Sequence, residues 1–202
     1  MSFDQYINRT KSLFPYSEFT TVKESRYSCL MPWHHDDVQA AFQKLPKITS
    51  FIDLTAHIGA DTIMLHYLYP KAIGISIEYD KDTFAKLQNN VCRYSRILKK
   101  PLSMMKAYQG DAVELIRDGM TKVDLIYIDP PWGEEYKQKK MQLFLSGTNV
   151  AEIIPSLLHP ARTVVLKTPV NIDVSDYKNF KFRKYPITTG GKKISYNLWF
   201  FC

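Results

Sequence analysis

Val123-Asp124-Leu125-Ile126-Tyr127-Ile128 runs without a break into Asp129-Pro130-Pro131-Trp132-Gly133, and this junction constrains the fold more than any other stretch. All of its first six residues except Asp124 are apolar or aromatic, the pattern of a strand covered on both faces. Proline has no N–H to give a sheet ladder, so the strand must stop at Asp129. The residue before each proline is held extended. The product is a stiff loop at the carboxyl end of a core strand, where open α/β sheets bind ligands. It offers one carboxylate, proline carbonyls and an indole. That set suits an exocyclic amine: the Asp129 carboxylate and the Pro130 carbonyl accept its two hydrogens while Trp132 stacks on the ring that bears it. The plain alternative is a rigid turn that merely ends a strand.

The flanking sequence has the alternation that such a core strand needs. Ser50-Phe51-Ile52-Asp53-Leu54 reads as a first core strand, followed by the small-residue turn Thr55-Ala56-His57-Ile58-Gly59 and a helix through Ile63, Leu65 and Leu68. Strand, tight turn, helix is the layout of a nucleotide or nucleoside site. Gly59 is the single glycine in the turn, which suits an uncharged nucleoside such as S-adenosylmethionine better than a pyrophosphate. A second strand, 72–78, ends in Glu78. This acid lies near the spacing at which a carboxylate meets a ribose diol. A helix from Asp82 follows and continues into Arg93, Arg96, Lys99 and Lys100, a cluster expected to be a solvated face. A third strand is expected over 103–108. Asp111 then caps the helix 112–117 and is placed to accept from an adenine amino group.

After the Pro-Pro loop, residues 134–140 are charged and read as a loop beside the site. Helix 150–158 and strand 161–167 come next, with Thr168-Pro169-Val170-Asn171 at the strand's end near the expected substrate pocket. Residues 172–193 are polar and basic, and 194–201 alternate as a closing strand. At the other end, residues 1–34 mix aromatic and basic side chains with little periodicity. They are expected to form an arm over the main domain, 35–202. His34 and His35 read as exposed residues at a helix start rather than as metal ligands.

Composition narrows the class of partner. A chain of 202 residues suits one domain with a sizeable core. Its net charge of +7 and its 13 Tyr and 11 Phe favour a polyanionic, base-containing partner. No apolar run approaches the roughly 18 residues of a membrane span, and the first residues lack the apolar stretch of a signal peptide. Three cysteines without metal spacing imply reduced thiols inside a cell, in the nucleus, the cytoplasm, or the cytoplasm of a virus-infected host. No metal site is expected. No feature names a protein partner, and a monomer is expected.

Taken together, the order of elements resembles the class I S-adenosylmethionine-dependent methyltransferases over roughly residues 35–202, and most of all the trimethylguanosine synthases, which methylate N2 of the 7-methylguanosine RNA cap. That family's motif D-x-F-C-G-x-G-G-N-T is similar to Asp53-Leu-Thr-Ala-His-Ile-Gly-Ala-Asp-Thr62, with His57 at its first glycine. Its strand-end acid matches Glu78 and its Gly-Asp matches Gly110-Asp111. Its Ser-Pro-Pro-Trp-Gly-Gly matches Asp129-Pro-Pro-Trp-Gly133, with Asp for Ser, and its L-P-R-N segment looks like the stretch from Leu166 to Asn171.

The resemblance implies an α/β Rossmann-like fold: a mostly parallel seven-stranded sheet, helices on both faces, and an antiparallel strand near the carboxyl end. It implies S-adenosylmethionine as cofactor, held by Asp53, Ala56, Gly59, Thr62, Glu78, Asp111 and Asp129. It makes Asp129, Pro130 and Trp132 the catalytic set, with Trp132, Lys167, Asn171 and Lys23 on an RNA cap or nucleotide substrate. Aspartate at the head of the Pro-Pro-Trp motif is also typical of enzymes acting on adenine N6 or on guanine N2 of ribosomal RNA. A catalytically silent RNA-binding or scaffold subunit with the same fold is the alternative from another class.

Overall fold

A computed structural model describes residues 34–202 apart from 120, 134–138, 190 and 192. Residues 1–33 of the expected arm, Lys23 included, and most of the charged loop after Gly133 lie outside the described residues. In chain order the main elements are α1 (His35–Phe42), β1 (Ser50–Asp53), α2 (Ala60–Leu68), β2 (Ile73–Glu78), α3 (Lys81–Ile97), β3 (Met105–Gln109), α4 (Ala112–Arg117) and β4 (Val123–Ile128). After a small hairpin, β5 (Phe144–Leu145) and β6 (Thr148–Asn149), come α5 (Val150–Leu158), β7 (Ala161–Thr168), β8 (Phe182–Thr189) and β9 (Lys193–Phe201).

Seven strands form one sheet in the order β3-β2-β1-β4-β7-β9-β8. The five from β3 to β7 are parallel, and β9 runs antiparallel between β7 and β8. The expected architecture is thus the one observed. Period-2 alternation divides each inner strand between two cores. Phe51, Leu125, Tyr127, Val165, Leu198 and Phe200 join α1, α2 and α3 on one face. Ile52, Ile126, Ile128, Val164, Leu166, Trp199 and Phe201 join α4 and α5 on the other. Strands covered on both faces have few polar positions, which is why they read as continuous apolar runs.

The one acid within β4 has a structural use. Asp124 accepts from the Thr49 N–H (2.7 Å) and hydroxyl (2.6 Å), and so ties the start of β1 to β4. Asp37 does the same for α1 and β8, taking the N–H (2.8 Å) and hydroxyl (2.6 Å) of Thr188. On β2, Gly74 is required by space: a Cβ there would run into Phe51 and stand 2.6 Å from His66.

Chain order reverses between β1 and β4: β2 and β3 lie to one side, β7 to the other. In parallel sheets the crevice at such a point is where ligands bind. The register places Asp53 opposite Tyr127, so the loops leaving β1 and β4 emerge level with each other.

Two expectations are corrected. His34 is not exposed; it is buried at 6%, with its ring edge-on to Tyr196 at 5.0 Å. Lys100 is not part of a solvated face: it is buried, and its Nζ donates to the Tyr69 carbonyl at 3.3 Å. Within the polar stretch 172–193, β8 supplies the antiparallel partner of the closing strand β9. As the sheet's edge it has one side open to water, and its alternation is masked by Arg183 and Lys184.

Candidate active site

The turn after β1 is built on a buried acid. Asp53 is fully buried; its Oδ1 accepts the Thr55 N–H (3.2 Å) and its Oδ2 the Thr62 hydroxyl (2.6 Å). Burial, with Asp61 adding to it, pushes the Asp53 carboxyl up to about 8. Thr62 is likewise wholly buried. Both residues were expected to hold the cofactor. With no exposed surface, they instead shape the turn from within. Ala56 is also buried and fixes the loop through its N–H to the Ile77 carbonyl (2.9 Å).

His57 stands where the resembling family has glycine, and its backbone takes the conformation glycine favours, φ 50°. In that posture its N–H donates to Glu78 Oε2 at 2.8 Å, while Glu78 Oε1 accepts from the Asp80 N–H at 2.8 Å. Glu78 is half-buried, and burial raises its carboxyl above the usual range. A carboxylate oriented in this way suits the hydroxyl donors of a ribose diol. Gly59, at φ 93°, opens α2; a Cβ there would stand 2.8 Å from Leu87. Asn90 on α3 supports the same turn by donating to the Ile58 carbonyl at 2.8 Å. Past the end of β3, beside Glu78, Asp111 caps α4, its Oδ1 accepting from the Val113 (2.7 Å) and Glu114 (3.4 Å) N–H groups. A narrow turn free of side-chain bulk at Gly59, facing an oriented, half-buried carboxylate, fits a nucleoside cofactor.

The loop after β4 is locked to this turn. The Asp129 N–H donates to the Thr55 hydroxyl at 2.6 Å, so the ends of β1 and β4 move as one. The Asp129 carboxylate is 12% exposed, and its Oδ2 lies 2.6 Å from Lys167 Nζ. Burial raises this carboxyl to about 7, even with the lysine ammonium opposing it. Pro130 is buried and Pro131 exposed, and Gly133 turns the chain at φ 59°. Trp132 is half-buried and packs against both cores; among the described residues its buried Nε1 has no hydrogen-bond partner.

Lys167 does not occupy the expected substrate-facing position. Its side chain is 5% exposed and points inward, 2.6 Å from Asp129 and 3.4 Å from Asp61 Oδ2, with Nζ 5.1 Å from the centre of the Tyr196 ring. Two carboxylates pair with this ammonium inside the protein. Asn171 lies past the end of β7, half-buried, its carbonyl accepting from the Met141 N–H at 3.1 Å.

Sequence reasoning missed Thr55, Asp61 and Tyr196. The alternation of β9 carried a signal for Tyr196, which shares its sheet face with Leu198 and Phe200. Nothing local marks Asp61, whose buried partner lies 106 positions away. Among the described residues no cluster of His, Cys, Asp and Glu suits a metal ion, and no helix is long and apolar enough to cross a membrane.

Comparison with known proteins gives a coherent result. The profile of the family described as RNA cap guanine-N2 methyltransferase matches residues 48–192, a span that includes both loops of the site. No curated protein sequence matches the chain. Among solved structures, a methyltransferase from Pyrococcus furiosus superposes with a TM-score of 0.62 at 11% identity, covering 98% of this chain and 94% of that one. The precorrin-6y C5,15-methyltransferase of Geobacter metallireducens gives 0.57 at 14%, covering 92% and 93%. The O-methyltransferase TomG of Streptomyces achromogenes, solved with S-adenosylmethionine, gives 0.57 at 10%, covering 100% and 98%. Two further matched structures are longer, and the chain spans 46% and 48% of them. Identities this low speak to the fold, which these proteins share.

Proposed function

This chain belongs to the RNA cap guanine-N2 methyltransferase family, an S-adenosylmethionine-dependent methyltransferase family, and from that we propose that its substrate is an exocyclic nucleobase amine, most specifically N2 of a 7-methylguanosine cap. The observation that carries the reading is the junction of the two loops. A carboxylate that can accept an N–H stands at the switch point of the sheet, locked through Thr55 to the turn that faces Glu78.

When bound, S-adenosylmethionine supplies a methyl group made electrophilic by its sulfonium. The Gly59 turn, Glu78 and the neighbouring Asp111 would hold it. The protein's own contribution is alignment. Asp129 Oδ1 accepts no hydrogen bond from the described residues, whereas Oδ2 is taken by Lys167. Oδ1 is therefore the atom that would receive one amine hydrogen and direct the nitrogen lone pair, with the Pro130 carbonyl taking the other hydrogen. An aromatic amine is nearly non-basic, so no strong base is needed before attack. The proton that must leave afterwards passes to Asp129 or to water. Trp132 offers a ring for stacking, worth about 1–3 kcal/mol per base and more for a positively charged one. That preference for cationic rings is the physical reason to favour 7-methylguanine over guanine.

The test is to incubate the purified protein with methyl-labelled S-adenosylmethionine and, in parallel, 7-methyl-GTP, GTP, and unmethylated RNA and DNA oligonucleotides. Label on 7-methyl-GTP alone is expected. Label confined to adenine-containing oligonucleotides would transfer the same site to adenine N6. Absence of label everywhere, with no cofactor binding by calorimetry, would overturn the enzymatic reading in favour of a binding subunit.

A further inference from the structure

We propose that Lys167, anchored by Asp61, is a positioning residue for Asp129: it occupies Oδ2 of that carboxylate and so leaves Oδ1 alone to meet the substrate amine. The proposal rests on the methyl-transfer reading above, in which Asp129 is the amine acceptor.

Three elements meet at this point. β7 lies beside β4 with Leu166 opposite Ile128, which brings Lys167 level with Asp129. The side chain then extends across the crevice toward α2, whose first turn carries Asp61. Lys167 Nζ is 2.6 Å from Asp129 Oδ2 and 3.4 Å from Asp61 Oδ2, and the three side chains are 5%, 12% and 9% exposed. A buried ammonium is tolerated only when it is closely paired. With one carboxylate as partner it would be neutralised in place. The second, Asp61, pulls from the α2 side and fixes where the ammonium sits between them. The geometry therefore sets the rotation of the Asp129 carboxyl group, which a lone aspartate at a loop end would leave free.

The same arrangement gives the two neighbours opposite effects on the charge of Asp129. Lys167 holds the carboxyl down and Asp61 pushes it up, against a background of burial. Of the other groups facing the cluster, Asp53 at the end of β1, Tyr127 on β4 and Tyr196 on β9 are buried, and His34 packs on Tyr196. His34 is held low, to about 4, by burial and by Lys167, so it is neutral across the working range. Burial holds both tyrosines well above their ordinary values and Asp53 at about 8. Asp129 therefore changes charge near pH 7 and Asp53 above it.

If the lysine were only a buried strut, its removal and that of Asp61 would each weaken the fold with no common readout. A positioning role makes a signed prediction. The experiment follows the carboxyl carbons of 13C-labelled aspartate by NMR through a pH titration of the cofactor-free protein, with Asp129→Asn assigning the signal. Relative to wild type, Lys167→Met is expected to raise the Asp129 midpoint by about one pH unit or more, and Asp61→Asn to lower it. Lys167→Arg, which keeps the charge, is expected to stay near wild type. In methyl transfer to 7-methyl-GTP, the acid limb of the kcat profile should move in the same order. Lys167→Met should lose about tenfold at pH 7 and recover most of it near pH 9, with KM changed by less than about threefold.

Equal Asp129 midpoints in all variants, or shifts of the same sign in Lys167→Met and Asp61→Asn, would overturn the proposal. If Lys167→Met does not fold, Asp61→Asn and Lys167→Arg decide it by the same criteria. The two readings fail separately. The expected midpoints without label on any nucleobase would leave the pair standing and remove the methyl-transfer reading; label without the midpoint shifts would do the reverse.

Discussion

At the scale of single residues, each side chain near the crevice is bound to one task. In the proposed reaction Asp129 is the acceptor, so Asp129→Ala is expected to lower kcat by about a hundredfold or more, while S-adenosylmethionine binding by calorimetry stays near wild type. A variant that turned over normally would exclude the amine-orienting role. His57 has a different kind of task, because it contributes through its backbone. Its left-handed conformation costs an L-residue roughly 1–2 kcal/mol, and its N–H is committed to Glu78. His57→Gly should therefore bind the cofactor as wild type does or slightly better. His57→Pro, which can neither reach φ 50° nor donate, should destabilise by about 3 kcal/mol and lose cofactor affinity. If glycine there weakened binding as much as proline, the imidazole would be the contributing group instead.

At the scale of elements, the parallel strands announced themselves in the sequence and the edge of the sheet did not. β4 and β7 are covered on both faces, so their burial is written as runs such as Leu125–Ile128 and Val164–Leu166. The helix α4 was legible from Asp111, whose cap is local. The bounds of β8 were not, since an edge strand shares its pattern with a basic loop. The site divides on the same principle. Glu78, Gly59 and the Asp-Pro-Pro-Trp loop declare themselves by local spacing, whereas the Lys167–Asp61 pair and the Thr55–Asp129 bond depend on which strands become neighbours. The packing of β2 against β1 and α2 gives a test at this scale. Gly74→Ala must displace Phe51 and His66 and is expected to cost about 1–3 kcal/mol in thermal or urea unfolding. Adding His66→Ala should return part of that loss by making room; no recovery would mean the crowding is relieved elsewhere.

For the molecule as a whole, its buried ionisable groups set how stability depends on pH. Asp53, at about 8, and Asp129, at about 7, hold a proton in the folded state that the unfolded chain releases near pH 4. Their contribution to stability is full below pH 4 and is lost as pH rises through 7 and 8. His34, at about 4, and His66, at about 3, are neutral when folded but take up a proton near pH 6.5 when unfolded. Stability from these two is full above about pH 6.5 and falls as pH drops toward 4. The opposing slopes cancel between roughly pH 4.5 and 6.5 and leave a net decline from 6.5 to 8. Melting temperatures of the cofactor-free protein across pH 5–8 should show a plateau followed by that fall, and Asp53→Asn should flatten it. A wild-type curve that climbs between 6.5 and 8 would contradict these assignments.

The 2.6 Å contact between the Thr55 hydroxyl and the Asp129 N–H has a consequence for how such a protein diversifies. Because one hydrogen bond joins the two loops at their roots, the clearance between methyl donor and acceptor works as a fixed gauge, indifferent to thermal play in the loops further out. New acceptors would then be gained by reshaping the rim around Trp132 and beyond. The gauge itself stays the same whatever molecule is brought to it.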